Sequence, residues 1–432
     1  MKPIAVVSVT WNGRTDVLRL LAALARIPYP LAIAVVDNAS NDDTAAAIAE
    51  QFPTVTVLRQ PHNLGGAGGF AVGMQWALDQ ASELVWLLDS DAWPRDDALA
   101  PLLASLERRP EIGAVGSLIA MADRPHVTQE LGGSFSPSTG RPHFHHACAP
   151  VDTRLPEREV DWVPACSLLA RVDVLRQVGV FDPAWFVFGD DLDWCWRVRS
   201  AGWRIVAVPA SVVFHRYPGG KTLTPWRAYY STRNMPELFR RHRSGPSGLF
   251  LRWLWLGHGL LHARRWARWG QAAEAAAAYQ AVTDAAARRL GRRDDLPAAV
   301  MPFTEAAPEL GSDEVLLAGG GELWADLAAV QLWRSTFPSR RLTILATPAL
   351  AALLADEPDL DLLDIASAGK NLRRATVLIS GRPPLWLGTV AALWRCRAGR
   401  WRQLTPWHER VLDALDHLAA GQGALLRLMR GH

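Results

Sequence analysis

Cysteine is scarce in this chain: four among 432 residues, Cys148, Cys166, Cys195 and Cys396, with no CxxC pair. That excludes a disulfide-stapled scaffold and a zinc ribbon, and it fits a reducing compartment. Long apolar runs are missing too, since none reaches the roughly 18 residues needed to span a bilayer. The opening MKPIAVVSVTWN passes straight into a strand-like run, without the layout of a signal peptide. Charge of one sign is also lacking: 46 basic against 43 acidic residues leave a net +3. The chain as a whole is therefore no nucleic-acid reader, although local basic clusters still matter. No internal repeat is evident. What remains is ordinary globular composition, 49% apolar and 21% charged, long enough for two or more folding units. The expectation is a cytoplasmic protein.

The first quarter of the chain alternates strands and helices. IAVVSVT (Ile4–Thr10) ends in the polar turn Trp11-Asn12-Gly13-Arg14, and a helical VLRLLAALARI follows. AIAVVD (Ala32–Asp37) then leads into DNASNDDT and a second helix, and Val55–Arg59 into the glycine loop NLGGAGGF and a third helix. VWLLDSD closes the series. Continuous apolar strands alternating with helices predict an α/β sheet covered on both faces. Ligands of such sheets bind at the carboxyl ends of the strands. Thr10, Asp37, the glycine loop, Asp89 and Asp91 all fall there. From Leu118 to Val160 the pattern weakens to loops with short β pieces. Leu192–Gly202 reads as a helix and Ile205–Val208 as a strand. Near Glu314 the alternation restarts as a smaller α/β unit.

Several clusters carry chemistry, each with a plainer alternative. Asp89-Ser90-Asp91 ends a buried strand in two acids, which a divalent cation and a phosphate would neutralise. Otherwise Asp91 caps the next helix and Asp89 pairs with an Arg. In Asn63-Leu64-Gly65-Gly66-Ala67-Gly68-Gly69-Phe70 the glycines permit close backbone approach to a phosphate or sugar. The stretch is neither GxGxxG nor a P-loop, and a tight turn without ligand is the alternative. Asp37-Asn38 follows a strand, where Asp37 can accept from a base or ribose, while Asp42 and Asp43 read as helix caps. Asp190-Asp191 opens a helix: paired like charges raise one pKa and suit a general base, or simply serve the helix N-terminus. His215 ends SVVF and is either a neutral metal ligand or a satisfied structural histidine. His143, His145, His146 and Cys148 cluster without a partner cluster, so a solvated loop is preferred to a zinc site.

Taken in order, VVSVTWNG, VVDNASNDDT, NLGGAGGF, LLDSDAWP and VGVFDPAWFVFGDDLDWCWRVRSAGWRI followed by VVFHR resemble family 2 glycosyltransferases of the GT-A fold. The resemblance covers about residues 4–240. NLGGAGGF, GDDLDW and YYSTRN (Tyr229–Asn234) look most like the galactofuranosyltransferase and rhamnosyltransferase branch. It implies a GT-A nucleotide-diphospho-sugar transferase fold, with a Rossmann-like mixed sheet, over 1–237. A helical basic, Trp-rich segment (238–300) and a smaller C-terminal α/β unit (301–432) complete the chain. It further implies that Thr10, Asn12, Asp37, Asn38, Asn63, Gly65, Gly66, Gly68, Asp89 and Asp91 hold the nucleotide sugar, a UDP- or dTDP-sugar. Asp91, His215 and Asp89 would hold Mn2+ or Mg2+, and Asp191 would be the catalytic base with Asp190 orienting it or the acceptor. Trp162, Trp185 and Lys221 stand on the acceptor side; for at least one of the two tryptophans core packing is the plainer fate. The acceptor would be a glycan or lipid-linked. The family usually has Glu-Asp where this chain has Asp190-Asp191, and glycine near Pro164-Ala165-Cys166. Rival readings are a nucleotidyltransferase, which should show a basic phosphate loop, and a non-catalytic glycan- or membrane-binding module.

Leu238–Gly270 holds seven Arg, four Trp and no acid. Its apolar stretch is interrupted by Arg252 and too short to span a membrane. Trp and Leu flanked by Arg suit a segment lying on an anionic leaflet, here the inner face of the plasma membrane. The alternative is a helix packed on the catalytic domain with a solvated basic edge. No RNA-binding signature accompanies it, so no nucleic-acid partner is expected.

Overall fold

The computed structural model describes residues 3–216, 224–268 (of 265 and 268 the backbone alone) and 272–296, and beyond them the backbone of six strands between 315 and 404. The described chain forms two compact units. Unit 1 takes in residues up to 217 together with 233–254 and 284–294.

Unit 1 begins as the sequence suggests. Strands β1 (Ile4–Thr10), β2 (Leu31–Asp37), β3 (Thr56–Arg59) and β4 (Leu84–Asp89) alternate with helices α1 (Arg14–Leu24), α2 (Thr44–Gln51) and α3 (Gly65–Leu78). β5 (Ala92–Pro94), α4 (Leu99–Arg108), β6 (Ile112–Met121), β7 (Arg124–Glu130), β8 (Gly133–Phe135), β9 (Pro142–Phe144) and β10 (Arg158–Glu159) follow. β11 (Ser167–Arg171), α5 (Val172–Val178), α6 (Asp190–Ser200) and β12 (Arg204–His215) complete the sheet region.

Ten strands make one mixed sheet in the order β10-β12-β6-β11-β4-β1-β2-β3, with β5 added on β12 and β7 on β6. β1 runs parallel to β2 and β4, and β6 parallel to β12, whereas β11 is antiparallel to both β4 and β6. Side chains alternate between the faces at the period of two that strands impose. Val7, Leu87, Leu168, Met74 and Trp194 fill one face. Val6, Trp86, Leu169, Leu21 and Leu102 fill the other.

Three readings need correction. Residues 112–121 are one continuous, wholly buried strand, where loops with short β pieces were expected from Leu118. Its glycines make room for neighbours: a Cβ on Gly116 would lie 2.5 Å from Val163, and one on Gly113 2.9 Å from Trp203. NLGGAGGF is not a loop, because α3 already starts at Gly65. Its glycines let the helix approach the sheet: a Cβ on Gly69 would lie 2.4 Å from Val9, and one on Gly73 2.0 Å from Val7. The short Ile205–Val208 strand is likewise part of the 12-residue β12, whose register shifts between Val208 and Val212, next to Pro209.

Helices α7 (Pro225–His242), α8 (Gly245–Arg268) and α9 (Ala272–Ala286) follow. Within unit 2, Ala228, Ala263, Trp266, Ala275 and Ala278 form a small core. The later strands β13 (Val315–Ala318), β14 (Leu342–Ala346), β15 (Leu360–Asp364), β16 (Thr376–Ile379), β17 (Ala392–Arg397) and β18 (Arg400–Leu404) form a second sheet, β15-β14-β13-β16-β17-β18. It is parallel except for β18.

Candidate active site

The mixed sheet explains how residues far apart in sequence meet. β1, β2 and β4 end together, at Thr10, Asp37 and Asp89. Because β11 runs the other way, its start lies beside the end of β4, with Ser167 opposite Leu88, and Cys166 arrives next to Asp89. β12 ends antiparallel to β5, with His215 opposite Ala92, which carries its imidazole back to the Asp91 turn. β7 returns along β6 and delivers Gln129 and Glu130 to the same end.

Asp91 therefore does not cap the next helix. Its Oδ1 lies 3.3 Å from His215 Nε2, and its backbone carbonyl accepts from the Arg216 N–H at 2.9 Å. On the far side of the ring, Nδ1 pairs with Gln129 Oε1 at 2.9 Å, and Gln129 Nε2 donates to Glu130 at 3.3 Å. That chain assigns the proton to Nδ1 and leaves Nε2 facing Asp91. Burial opposes a charge on His215, but Cys166 and the Asp91 carboxylate favour it and raise its pKa well above the ordinary value. Burial acts against ionised Asp91 as well, yet His215 outweighs it and holds the carboxyl below its usual range. The positive partner that the Asp-Ser-Asp strand end demanded is thus, in part, His215.

The other acids point the opposite way. Burial, then the charge of Asp91, pushes Asp89 up to about 7. Burial and the charge of Asp191 lift Glu130 to about 7. Asp190 is raised well above the carboxylate range by burial and by Asp191. Asp191 reaches about 6 through burial, offset by N–H groups of Leu192 and Ala165. Four desolvated carboxyl groups that feel one another's charge are what a site built for cations and polar substrate looks like. Among the described residues, one group has the donor atoms to hold a metal ion: Asp89, Cys166 and His215, within 4.8 Å of one another. The histidines at 143–146 do not form one; His145 shares a hydrogen bond with Ser134 Oγ instead, at 2.8 Å.

Next to this cluster, at the ends of β1 and β2, Thr10 Oγ1, Asp37 Oδ2 and Asn38 Oδ1 are buried without a hydrogen-bond partner. Buried polar atoms are normally paired, so three orphans together mark a place for a polar ligand. Asp37 Oδ1 accepts from Ser40 N at 3.0 Å, and Arg59 lies 3.7 Å from Oδ2. Asn38 Nδ2 donates to the Gly65 carbonyl at 2.9 Å. Asn12 and Asn63 tie local turns: Asn12 Oδ1 accepts from Asn41 N and Asn63 Oδ1 from Gly65 N. Gly66 faces open space, while Gly68 packs on Leu64. Asp42 caps α2 through Thr44, but Asp43 makes no side-chain cap.

The loop before Asp190 is held from α7. Asn234 Nδ2 donates to the carbonyls of Val187 and Phe188 at 2.8 and 2.6 Å, and Arg233 Nη2 to that of Trp185 at 2.8 Å. Arg233 also donates to the Gly291 carbonyl, and Arg292 to that of Asn63. Phe186 and Phe188 adopt left-handed backbone, and Gly65, itself at φ +74°, packs under the Phe186 carbonyl. Trp162 and Trp185 are both buried, Trp162 against Phe135 (4.7 Å) and Trp185 under the Arg241 guanidinium (4.8 Å), so neither exposes a ring face. Lys221 lies outside the described residues. The basic run on α7 is largely spent internally: Arg240 and Arg241 pair with Glu237, and His242 with Asp193. Among the described residues no helix is long and apolar enough to cross a membrane. Leu249, Phe250 and Leu254 on α8 are exposed.

Sequence reasoning missed Cys166 as a candidate ligand, as well as Gln129 and Glu130. Nothing periodic marks β7, and Cys166 becomes a neighbour of Asp89 only through the antiparallel insertion of β11.

Comparison with known proteins identifies the family. The profile described as "Glycosyltransferase like family 2" matches residues 2–235. An N-acetylglucosaminyl-diphospho-decaprenol L-rhamnosyltransferase of Mycobacterium tuberculosis is 28% identical over 239 residues, 49% of this chain and 75% of the relative. Galactofuranosyltransferase GlfT1 of the same organism is 37% identical over 109 residues, 25% of this chain and 36% of its own. Among solved structures, a mannosyltransferase of Pyrobaculum calidifontis in complex with GDP-Man and Mn2+ is similar at 20% identity. It covers 66% of this chain and 75% of its own, with a TM-score of 0.42. Since the family profile spans more than half of the sequence, and with it the whole mixed α/β sheet expected of a GT-A protein, the chain belongs to glycosyltransferase family 2 and is a glycosyltransferase.

Proposed function

We propose that the protein is an inverting, metal-dependent glycosyltransferase that moves galactofuranose or rhamnose from a UDP- or dTDP-sugar to a glycan or lipid-linked acceptor of a cell-surface polysaccharide. The observation that carries this reading is the gathering of acids and an imidazole at one strand end. Asp91 Oδ1 lies 3.3 Å from His215 Nε2, Asp89 and His215 have donor atoms within 4.8 Å of one another, and the charge of Asp191 is felt by Asp89 and Glu130.

The residues fit a divalent cation. Asp89 and His215, with donor atoms within 4.8 Å, and Asp91, 3.3 Å from His215 Nε2, supply oxygen and imidazole nitrogen donors, and Nε2 is left for a ligand by the Nδ1–Gln129 contact. When bound, Mn2+ or Mg2+ supplies Lewis-acid stabilisation of the charge that grows on the diphosphate. Thr10, Asp37 and Asn38 accept and orient the nucleoside with the buried atoms that lack a hydrogen-bond partner. Asp191 withdraws the proton of the acceptor hydroxyl as its oxygen bonds to the anomeric carbon. The bond from that carbon to the diphosphate oxygen breaks, and its electron pair leaves with the diphosphate. General-base help of this kind is worth roughly 10²–10⁴-fold. A single displacement inverts the anomeric centre and uses no enzyme nucleophile. Asp190, whose pKa burial and the charge of Asp191 raise, positions the acceptor beside the base.

The exposed Leu249, Phe250 and Leu254, near Arg243 and Arg252, support a peripheral seat on the inner face of the plasma membrane for a lipid-linked acceptor. Residues 301–432 are taken as a separate C-terminal unit. The test is nucleotide release from a panel of UDP-galactofuranose, dTDP-rhamnose and UDP-GlcNAc with a lipid-linked acceptor, in Mn2+ or EDTA. One donor turned over only with metal is expected. Turnover indifferent to EDTA refutes the metal role, and silence with every donor favours a binding module.

A further inference from the structure

We propose that Cys166 is a ligand-capable member of the cation site, which makes the site bind thiophilic divalent cations such as Zn2+, Cd2+ and Co2+ more tightly than Mg2+. The inference rests on the cation site proposed above and specifies its chemistry.

The geometry comes from the sheet. β11 is antiparallel to β4, so Cys166, one residue before its first strand position, is fixed beside Asp89 by the Ser167–Leu88 register. Its Sγ, an Asp89 oxygen and a His215 nitrogen lie within 4.8 Å of one another, the span of donors around one ion. The thiol is in hydrogen-bond contact with His215. Cys166 is 5% exposed, and the neighbouring Ser167 hydroxyl is locked to Trp86 and Ser117, so the strand start has little freedom to turn the sulfur away. The other described cysteines have no such company: Cys195 points at the Val163 carbonyl, and Cys148 belongs to no ligand group.

An all-carboxylate site prefers hard Mg2+ or Mn2+, and each imidazole or sulfur donor shifts preference toward softer ions. A thiol binds a cation as the thiolate, its proton passing to solvent as the metal–sulfur bond forms. Mg2+ gains little from that exchange; Cd2+ and Zn2+ gain a metal–sulfur bond.

Co2+ titrated into the EDTA-stripped full chain, without nucleotide, separates the possibilities. We expect visible d–d bands together with a near-ultraviolet thiolate-to-cobalt charge-transfer band. The latter should be lost in Cys166→Ser and Cys166→Ala and kept in Cys148→Ser. Competition should show Cd2+ affinity falling by more than about tenfold in Cys166→Ser, since even an outer-shell partner is worth roughly 10–100-fold, with Mn2+ affected far less. Visible bands without charge transfer in the wild type would overturn the role of Cys166 and leave the cation site standing. No spectral change at all would overturn both.

Discussion

Replacing Asp191 by Asn should make the protein more stable and nearly inactive at once. Asp191 is lifted from 3.8 to about 6 because its charge is buried. Between those values the folded protein keeps a proton that the unfolded chain has already released. Stability therefore falls as pH rises through this window, and the whole deficit is present above about 6. Two units at about 1.4 kcal/mol each give about 3 kcal/mol. Cleft water reaches the half-buried side chain and screens part of this, so a gain of about 1–3 kcal/mol is expected from Asn at pH 8. Asn keeps an acceptor for the Leu192 N–H, and relief of the repulsion on Asp190 adds to the gain. Below about pH 4 the two proteins should converge. Urea unfolding in EDTA, followed by Trp fluorescence from pH 4 to 8, reads the difference. Turnover of the wild type should rise through about pH 6 and level off, and Asn should lower kcat by roughly 10²–10⁴-fold. Parallel stability curves across this range, or a variant keeping more than about a tenth of kcat, would refute the reasoning.

Gly65→Ala should cost on the order of 2–4 kcal/mol, visible as a lower urea midpoint, because the residue sits at φ +74° and its Cβ would lie 2.1 Å from the Phe186 carbonyl oxygen. Asp37→Asn should raise donor KM about tenfold or more with kcat nearly unchanged, since it weakens a buried charged hydrogen bond to the nucleoside and touches no reacting atom. Equal loss in kcat would argue against that subsite. Gln129→Leu should weaken Mn2+ binding by roughly 10–100-fold, measured by calorimetry, because His215 loses the partner that sets its tautomer.

The residues that lie at the ends of their own strands were legible in the sequence. Thr10, Asp37, Asp89 and Asp91 follow apolar runs whose direction is set by the strand–helix alternation, and the structure gathers them as expected. His215 could be suspected from its strand end. What escaped depends on pairing direction, which local pattern does not encode. The antiparallel entry of β11 brings Cys166 to Asp89, and the return of β7 brings Gln129 and Glu130 to His215. Trp162 and Trp185 show the reverse problem: a tryptophan beside acidic motifs reads equally as platform or as core, and burial decides.

The ties from Arg233 and Asn234 to the Trp185–Phe188 loop, and from Gly291 and Arg292 back to them and to Asn63, have a consequence for inheritance. Evolution or an engineer who exchanged only the first 217 residues between relatives would transplant every acid of the site. The side chains that shape the approach to Asp190 and Asp191 would stay behind. Successful chimeras should therefore carry 233–254 and 284–294 along with the sheet, as a single heritable module written in three separated passages of the chain.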